Sequence, residues 1–291
     1  MSAQTQNEIF VPALVSEGVK TIIPDFYLGD AEYRKDKNNA GLTSVAYNEQ
    51  MQLPTLAELR HAYFGRLNGQ EMGWHSHDID GELRYFSNCD DWTSPKYRKD
   101  VLSNQGTHEW TATYLQDGKY IIDLLDAKTF TKGTNEWLEK NLDSRVLLKK
   151  LHEIIERSGK NFIDLAEKDG SLKIPLRYLL EFVVPFEPNT AGYRIQRFDH
   201  IAAKTLPEEG WVLEYDRFTG FPSRTSHEKE DAEKIFGNDA SYFFYNHNGL
   251  IAVMRNFTNN SLGPFYILAN YGPEYRDSDV GGRSCHRINK V

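Results

Sequence analysis

The densest group of potential ligands in the chain is His75-Ser76-His77-Asp78-Ile79-Asp80, two imidazoles and two carboxylates in one short run. Ring nitrogens and carboxylate oxygens so close together could share a divalent cation. The same residue types cap turns in polar loops. The surrounding stretch 69–109 is rich in Gly, His, Asp, Asn and Trp and reads as such a loop. His152-Glu153-Ile154-Ile155-Glu156 starts like the zinc-protease helix motif but has Glu where that motif needs its second His. It reads as a charged helix face. Asp199-His200 and the pair Asp123 and Asp126 could move protons, but spacing selects no acid–base pair from 42 acidic residues. No phosphate-binding Gly-rich loop and no G-x-S-x-G elbow is present. The expectation is a protein that is not an enzyme, with no metal site and no cofactor.

Composition narrows the partners. The net charge is −8 and basic residues form no block, so a nucleic-acid partner is not expected. No apolar run reaches the ~18 residues of a membrane helix, so no membrane insertion is expected. The start, MSAQTQNEIFVPALVSEG, lacks a basic segment followed by an apolar one. A cytoplasmic or virion-associated location follows as the expectation, and the sequons at Asn256 and Asn259 are then expected to stay unmodified. The cysteines are Cys89 and Cys285, too few for a disulfide framework or a thiolate zinc site. One bridge between them and two free thiols both remain open.

The elements that would position a site are legible in places. Thr55 followed by Glu58 forms a capping box, and Leu56, Leu59, Ala62 and Tyr63 recur at helical spacing. This predicts a helix over 55–67. Leu83–Ser87 reads as a strand. Glu109–Leu115 and Tyr120–Leu124 flank Asp117-Gly118 and predict a hairpin. From Thr134 to Ser158, apolar residues at helical spacing predict one long amphipathic helix or two shorter ones. Arg177–Val184 could be a buried strand or a short helix. Block 130–205 is treated as a helical insertion or subdomain between 1–129 and 206–291. Beyond it, Trp211–Tyr215 predicts a strand, Ser226–Phe236 a surface helix and Ser241–Asn246 a strand. Asn248-Gly249 reads as a hairpin turn into a strand at 250–255.

The tail from Gly249 alternates in character. Apolar runs at 250–254 and 265–269 and the closing Val280-Gly281-Gly282-Arg283 predict strands at 250–255, 265–269 and 280–283. Between them lie two polar patches, 256–261 and 270–278. Tyr supplies stiff contact area, while Asn and Ser supply adaptable hydrogen bonding, which suits recognition.

In order, Ala252-Val253-Met254-Arg255, Gly263-Pro264-Phe265-Tyr266-Ile267-Leu268, Val280-Gly281-Gly282-Arg283, Cys285 and Arg287 resemble the C-terminal region of C-type-lectin-fold variable proteins. Diversity-generating retroelements make these, and the formylglycine-generating enzyme shares their fold. Leu53-Pro54-Thr55 with Glu58-Leu59 is similar to a helix start in related lectin-like domains. Glu109-Trp110-Thr111 resembles their core strand. Gly282 stands where the family prefers Phe, and Ser284 separates Arg283 from Cys285. The Glu187-Pro188-Asn189 tripeptide of sugar-binding lectins occurs without its Trp-Asn-Asp partner.

The resemblance implies an α+β, C-type-lectin-like fold with short antiparallel strands, two flanking helices and a helical insertion. It implies variable, ligand-binding positions at Asn256, Phe257, Asn259, Asn260, Asn270, Tyr271, Tyr275, Arg276, Asp277 and Ser278. The implied partner is a protein or cell-surface ligand. A formylglycine-generating-type cysteine oxidase and a structural virion or interaction protein are the alternatives.

Overall fold

A computed structural model describes residues 7–15, 21–29, 52–67, 74–77, 83–86, 108–141, 149, 153, 180, 190–197, 206–245, 249–256, 262–263, 265–272, 275, 280–282 and 285–288. Within them the fold is mixed α+β, and sheets dominate. The strands are β1 (Asn7–Val11), β2 (Leu14–Val15), β3 (Thr21–Ile23), β4 (Phe26–Gly29), β5 (Trp74–His77), β6 (Leu83–Phe86), β7 (His108–Gln116) and β8 (Tyr120–Leu124). They continue with β9 (Tyr193–Arg197), β10 (Gly210–Tyr215), β11 (Pro222–Ser226), β12 (Tyr242–Tyr245), β13 (Leu250–Asn256), β14 (Tyr266–Tyr271), β15 (Val280–Gly281) and β16 (Cys285–Arg287). The helices are α1 (Leu56–Leu67), α2 (Ala127–Asn141) and α3 (Lys229–Phe236). None of the described helices is long and apolar enough to cross a membrane.

The larger sheet runs β11-β10-β12-β14-β13-β7-β8-β9, with β15 beside β7. The smaller runs β16-β4-β1-β5-β6. Strand β13 shows how the larger sheet is buried. Ile251 and Val253 join a core with α1, β4 and Cys285. Leu250, Ala252 and Met254 join a second core with α2, Trp110 and Phe130. Successive side chains of a strand point to opposite faces. An unbroken apolar run is therefore what a strand covered on both faces requires.

The capping box forms as expected. The Thr55 N–H donates to Glu58 Oε2 at 2.7 Å, and the Glu58 N–H donates to Thr55 Oγ1 at 3.2 Å. The docking site of this helix start is a bulge in β7. Ala252 pairs with Tyr114 and Met254 with Trp110, so β7 carries extra residues around Thr111–Thr113. The Thr111 hydroxyl donates to the Val253 carbonyl at 2.9 Å, standing in for a ladder bond. The released backbone turns to α1: the Ala112 N–H donates to Pro54 O at 2.8 Å, and the Leu56 N–H donates to Thr113 Oγ1 at 2.9 Å.

Glu58 also meets the last described strand. Arg287 Nε donates to Glu58 Oε1 at 2.6 Å and Nη2 donates to Oε2 at 2.8 Å. Nη1 donates to Leu125 O at 2.7 Å and to the Gln52 side chain. Burial works against this guanidinium, but Glu58 outweighs it and its pKa is raised. A second pair joins buried Asp123 on β8 to half-buried Arg194 on β9; Arg194 Nε donates to Asp123 Oδ2 at 3.1 Å. The Thr113 hydroxyl donates to the other Asp123 oxygen at 2.6 Å.

Several expectations shift. The hairpin at Asp117-Gly118 forms, with φ of 49° and 63° at the two residues, as a tight turn between twisted strands needs. Helix α2 starts at Ala127 rather than Thr134. Asp126 Oδ1 accepts the N–H groups of Lys128 and Thr129 at 3.0 and 3.1 Å and fixes that earlier start. Trp74–His77, read as loop, is strand β5 and pairs with β1 and β6. Strand β12 does not pair with β13 as a hairpin. It lies antiparallel to β10 and parallel to β14, which separates it from β13. The dipeptide Asn-Gly signals a local turn, whereas pairing here is set by which apolar faces must be covered. Of block 130–205, residues 130–141 finish α2, Leu180 is buried and 193–197 form β9 on the larger sheet. The 55–67 helix and the 109–124 hairpin stand as read.

Glu58→Ala is expected to cost about 3–5 kcal/mol in chemical denaturation, because it leaves Arg287 buried and unpaired. Adding Arg287→Met should recover much of that loss. A double variant destabilised by the sum of both single losses would contradict the pairing. His61 supplies a pH dependence. Its Nε2–H donates to Pro12 O at 2.8 Å, and burial holds its pKa below the ordinary 6.5. The Pro12 bond and Glu58 oppose the shift and Arg60 adds to it. A depressed histidine pKa contributes stability above pH 6.5 that is lost as pH falls toward the folded value. The thermal stability advantage of the natural chain over His61→Gln should therefore shrink from pH 7.5 to pH 5.5. An advantage that grew on acidification would reverse the assignment.

Candidate functional site

The two polar patches leave from strands held at every side. Asn256 ends β13, where it pairs with Tyr266 of β14 on one side and His108 of β7 on the other. Val280, which follows the second patch, pairs with the same His108 from the opposite side. The start of one patch and the end of the other thus flank one residue. At a strand spacing of ~4.8 Å they lie roughly 10 Å apart. The second patch opens at the other end of the strands, where Tyr271 of β14 pairs with Ala252 of β13.

The far end of the first patch is pinned at Leu262–Gly263. The Tyr242 N–H donates to Leu262 O at 2.9 Å, and the Phe265 N–H donates to Ser241 Oγ at 3.0 Å. Gly263 has φ of 89° and approaches Ala240 so closely that a Cβ would sit 1.9 Å from its carbonyl oxygen. Only glycine fits there. The second patch exits through β15 into β16. There the Cys285 N–H donates to Gln52 O at 2.7 Å and the Ile288 N–H donates to Asp25 O at 2.9 Å.

Of the expected binding residues, the structure describes Asn270, Tyr271 and Tyr275 with their side chains and Asn256 by its backbone. Phe257, Asn259, Asn260, Arg276, Asp277 and Ser278 lie outside the described residues. Tyr271 and Tyr275 stack, with ring centroids 3.9 Å apart and an interplanar angle of 26°. Tyr275 also meets Trp110 edge-on at 6.4 Å and 71°. Both tyrosines are half-buried against the second core. The Asn270 side-chain oxygen is buried without a hydrogen-bond partner among the described residues. Composition alone does not distinguish these three from the rest of their patch. The aromatic contact to Trp110 joins residues 165 apart in sequence, by subtraction of their numbers (275 − 110), and no local pattern signals it.

The other chemistry-bearing groups fall elsewhere. His75 and His77 stand on β5 by their backbone, while Asp78 and Asp80 lie outside the described residues, as do Cys89, His152, Asp199, His200 and Glu187–Asn189. Asp123 is committed to Thr113 and Arg194, and Asp126 to the start of α2. Cys285 is fully buried, with its Sγ donating toward Glu58 Oε2 at 3.9 Å. Among the described residues, no group of three or more His, Cys, Asp or Glu is placed to hold a metal ion. Comparison with protein-family models, with curated proteins and with solved structures finds no match to this chain.

The pinned margin makes a contrast between glycines. Gly249 also has positive φ, 76°, but a Cβ there would meet nothing within 4 Å. Gly249→Ala should cost about 1–2 kcal/mol from backbone conformation alone. Gly263→Ala must also displace Ala240 and should cost clearly more in thermal or chemical unfolding. Equal losses at the two positions would show that the first patch is not held as described.

Proposed function

We propose that this chain is a ligand-binding protein built on a C-type-lectin-like scaffold, with a diversified surface carried by its two C-terminal polar patches. The observation that carries this reading is the contrast along the tail. Residues 250–254 and 265–269 are buried without interruption, whereas the first patch opens beside His108 and the second patch ends on its other side. A rigid sheet holding replaceable side chains is the physical arrangement of an antibody paratope.

The placement of the resembling motifs supports the same reading. Glu109, Trp110 and Thr111 stand on β7 against β13. Cys285 and Arg287 stand on β16, which pairs with β4 from the start of the chain. The variable positions are Asn256, Phe257, Asn259, Asn260, Asn270, Tyr271, Tyr275, Arg276, Asp277 and Ser278, and the partner is a protein or another cell-surface molecule. The cysteine-oxidase alternative would need an accessible thiol pair, and Cys285 is enclosed in the core.

Sequencing the DNA beside the gene tests the diversification reading. The expected finding is a near-copy of the segment encoding the tail, differing at adenines and lying next to a reverse-transcriptase gene. Sibling genes should then differ mainly at the named positions and keep 250–255 and 265–269. Siblings that vary in those strands as often as in the patches would defeat the proposal.

A further inference from the structure

The outer edge of the larger sheet carries a cavity separate from the C-terminal patches. We infer that it is a binding site for a small zwitterion, an α-amino acid. Arg224 and Ser223 take its carboxylate, and Glu208 takes its ammonium group. The inference is independent of the binding reading above, because no patch residue lines this cavity.

The cavity has a volume of about 280 Å³ and is lined by residues 223–227 with Pro207 and Glu208. Strand β11 ends the described order of its sheet. Successive residues of a strand point to opposite faces, so a cavity lined by consecutive residues of β11 wraps around its outer edge. Pockets for drug-sized ligands run to about 300–1,000 Å³, so this one suits a smaller molecule. Pro207 is its one apolar side chain, which disfavours an apolar occupant.

Two neighbouring groups in it lack partners. Ser223 Oγ is buried without a hydrogen bond. Leaving a buried hydroxyl unmatched is costly, and a ligand oxygen would satisfy it. Arg224 is exposed and has no ion pair, hydrogen bond or ring contact among the described residues; Glu214 stands opposite it in the register without pairing. By contrast, Arg194 and Arg287 hold carboxylates, and Arg60, Arg197 and Arg217 lie over aromatic rings. A guanidinium beside a hydroxyl offers donors to both oxygens of a carboxylate.

Glu208 supplies the opposite charge. Its side chain is 83% exposed, and Oε2 lies 3.6 Å from His227 Nε2. A simple anion drawn to Arg224 would be repelled by this carboxylate, whereas a ligand carrying both charges satisfies both residues. The walls are already tied together. The Thr225 hydroxyl donates to Glu208 O at 2.8 Å. Ser226 Oγ donates to Asp231 Oδ2 at 3.0 Å and accepts the Glu228 N–H at 3.1 Å. A preformed site spends little on ordering when its ligand arrives.

Nuclear magnetic resonance titration of the full chain tests this, with each standard amino acid in turn as the probe. At least one should shift the Ser223 and Arg224 signals saturably. Its N-acetyl derivative lacks the ammonium charge and its amide lacks the carboxylate. Each should bind about tenfold more weakly, the loss expected for one charge-assisted contact. Arg224→Gln and Glu208→Gln should weaken binding by about the same factor. Thermal unfolding of both variants should match the natural chain, since both side chains are exposed. Saturable shifts with none of the amino acids would overturn the inference. So would capped derivatives that bind as well as the free amino acid, or binding that survives unchanged in both variants.

Discussion

Glu58 sits where three parts of the chain must agree. One carboxylate caps α1 through the Thr55 N–H and meets the Arg287 guanidinium on β16. Arg287 in turn reaches Gln52, Leu53 and Leu125. The pair is nearly closed to solvent, with side-chain exposures of 10% for Arg287 and 4% for Glu58. Removing one partner would strand a charge in the core, so the geometry of all these segments is coupled. Such a pair adds less to net stability than its contacts suggest. Its value lies in register, because a slipped β16 would leave two buried charges apart.

The sheet margin around His108 is coupled to this pair. β16 is held on β4, and the Cys285 N–H is held by Gln52, so the exit from the second patch is set from below. The bulge at Thr111–Thr113 fixes β7 against α1 and leaves His108 free to pair on both sides. Gly263 sets the far end of the first patch by close approach to Ala240. Strands β13 and β14 are themselves buried on both faces.

Much of this was legible in the sequence where a signal was local. Thr55 and Glu58 announced α1, Asp117-Gly118 announced its hairpin, and the two apolar tail runs announced strands. Asn248-Gly249 misled, because a turn dipeptide says nothing about a third strand inserted between its neighbours. Asp126 could have located the start of α2, since Asp before a helical segment is a capping signal. The Trp110–Tyr275 contact and the Glu58–Arg287 pair were not legible. Both join residues far apart, and nothing at either end names the other. The ten expected positions came from a resemblance and from residue type. Of these, Tyr271 and Tyr275 pack against the second core.

The central claim is that the patches can be rewritten while the strands cannot. Its most direct measurement is the unfolding free energy of chains with Asn256, Phe257, Asn259, Asn260, Arg276, Asp277 and Ser278 replaced together by random residues. Most such chains should stay within about 1 kcal/mol of the original, as surface changes do. The single change Ile251→Ala on β13 should alone cost about 2–5 kcal/mol. Patch variants that lose as much as Ile251→Ala would show that these residues hold the fold together, and the division between scaffold and recognition surface would fail.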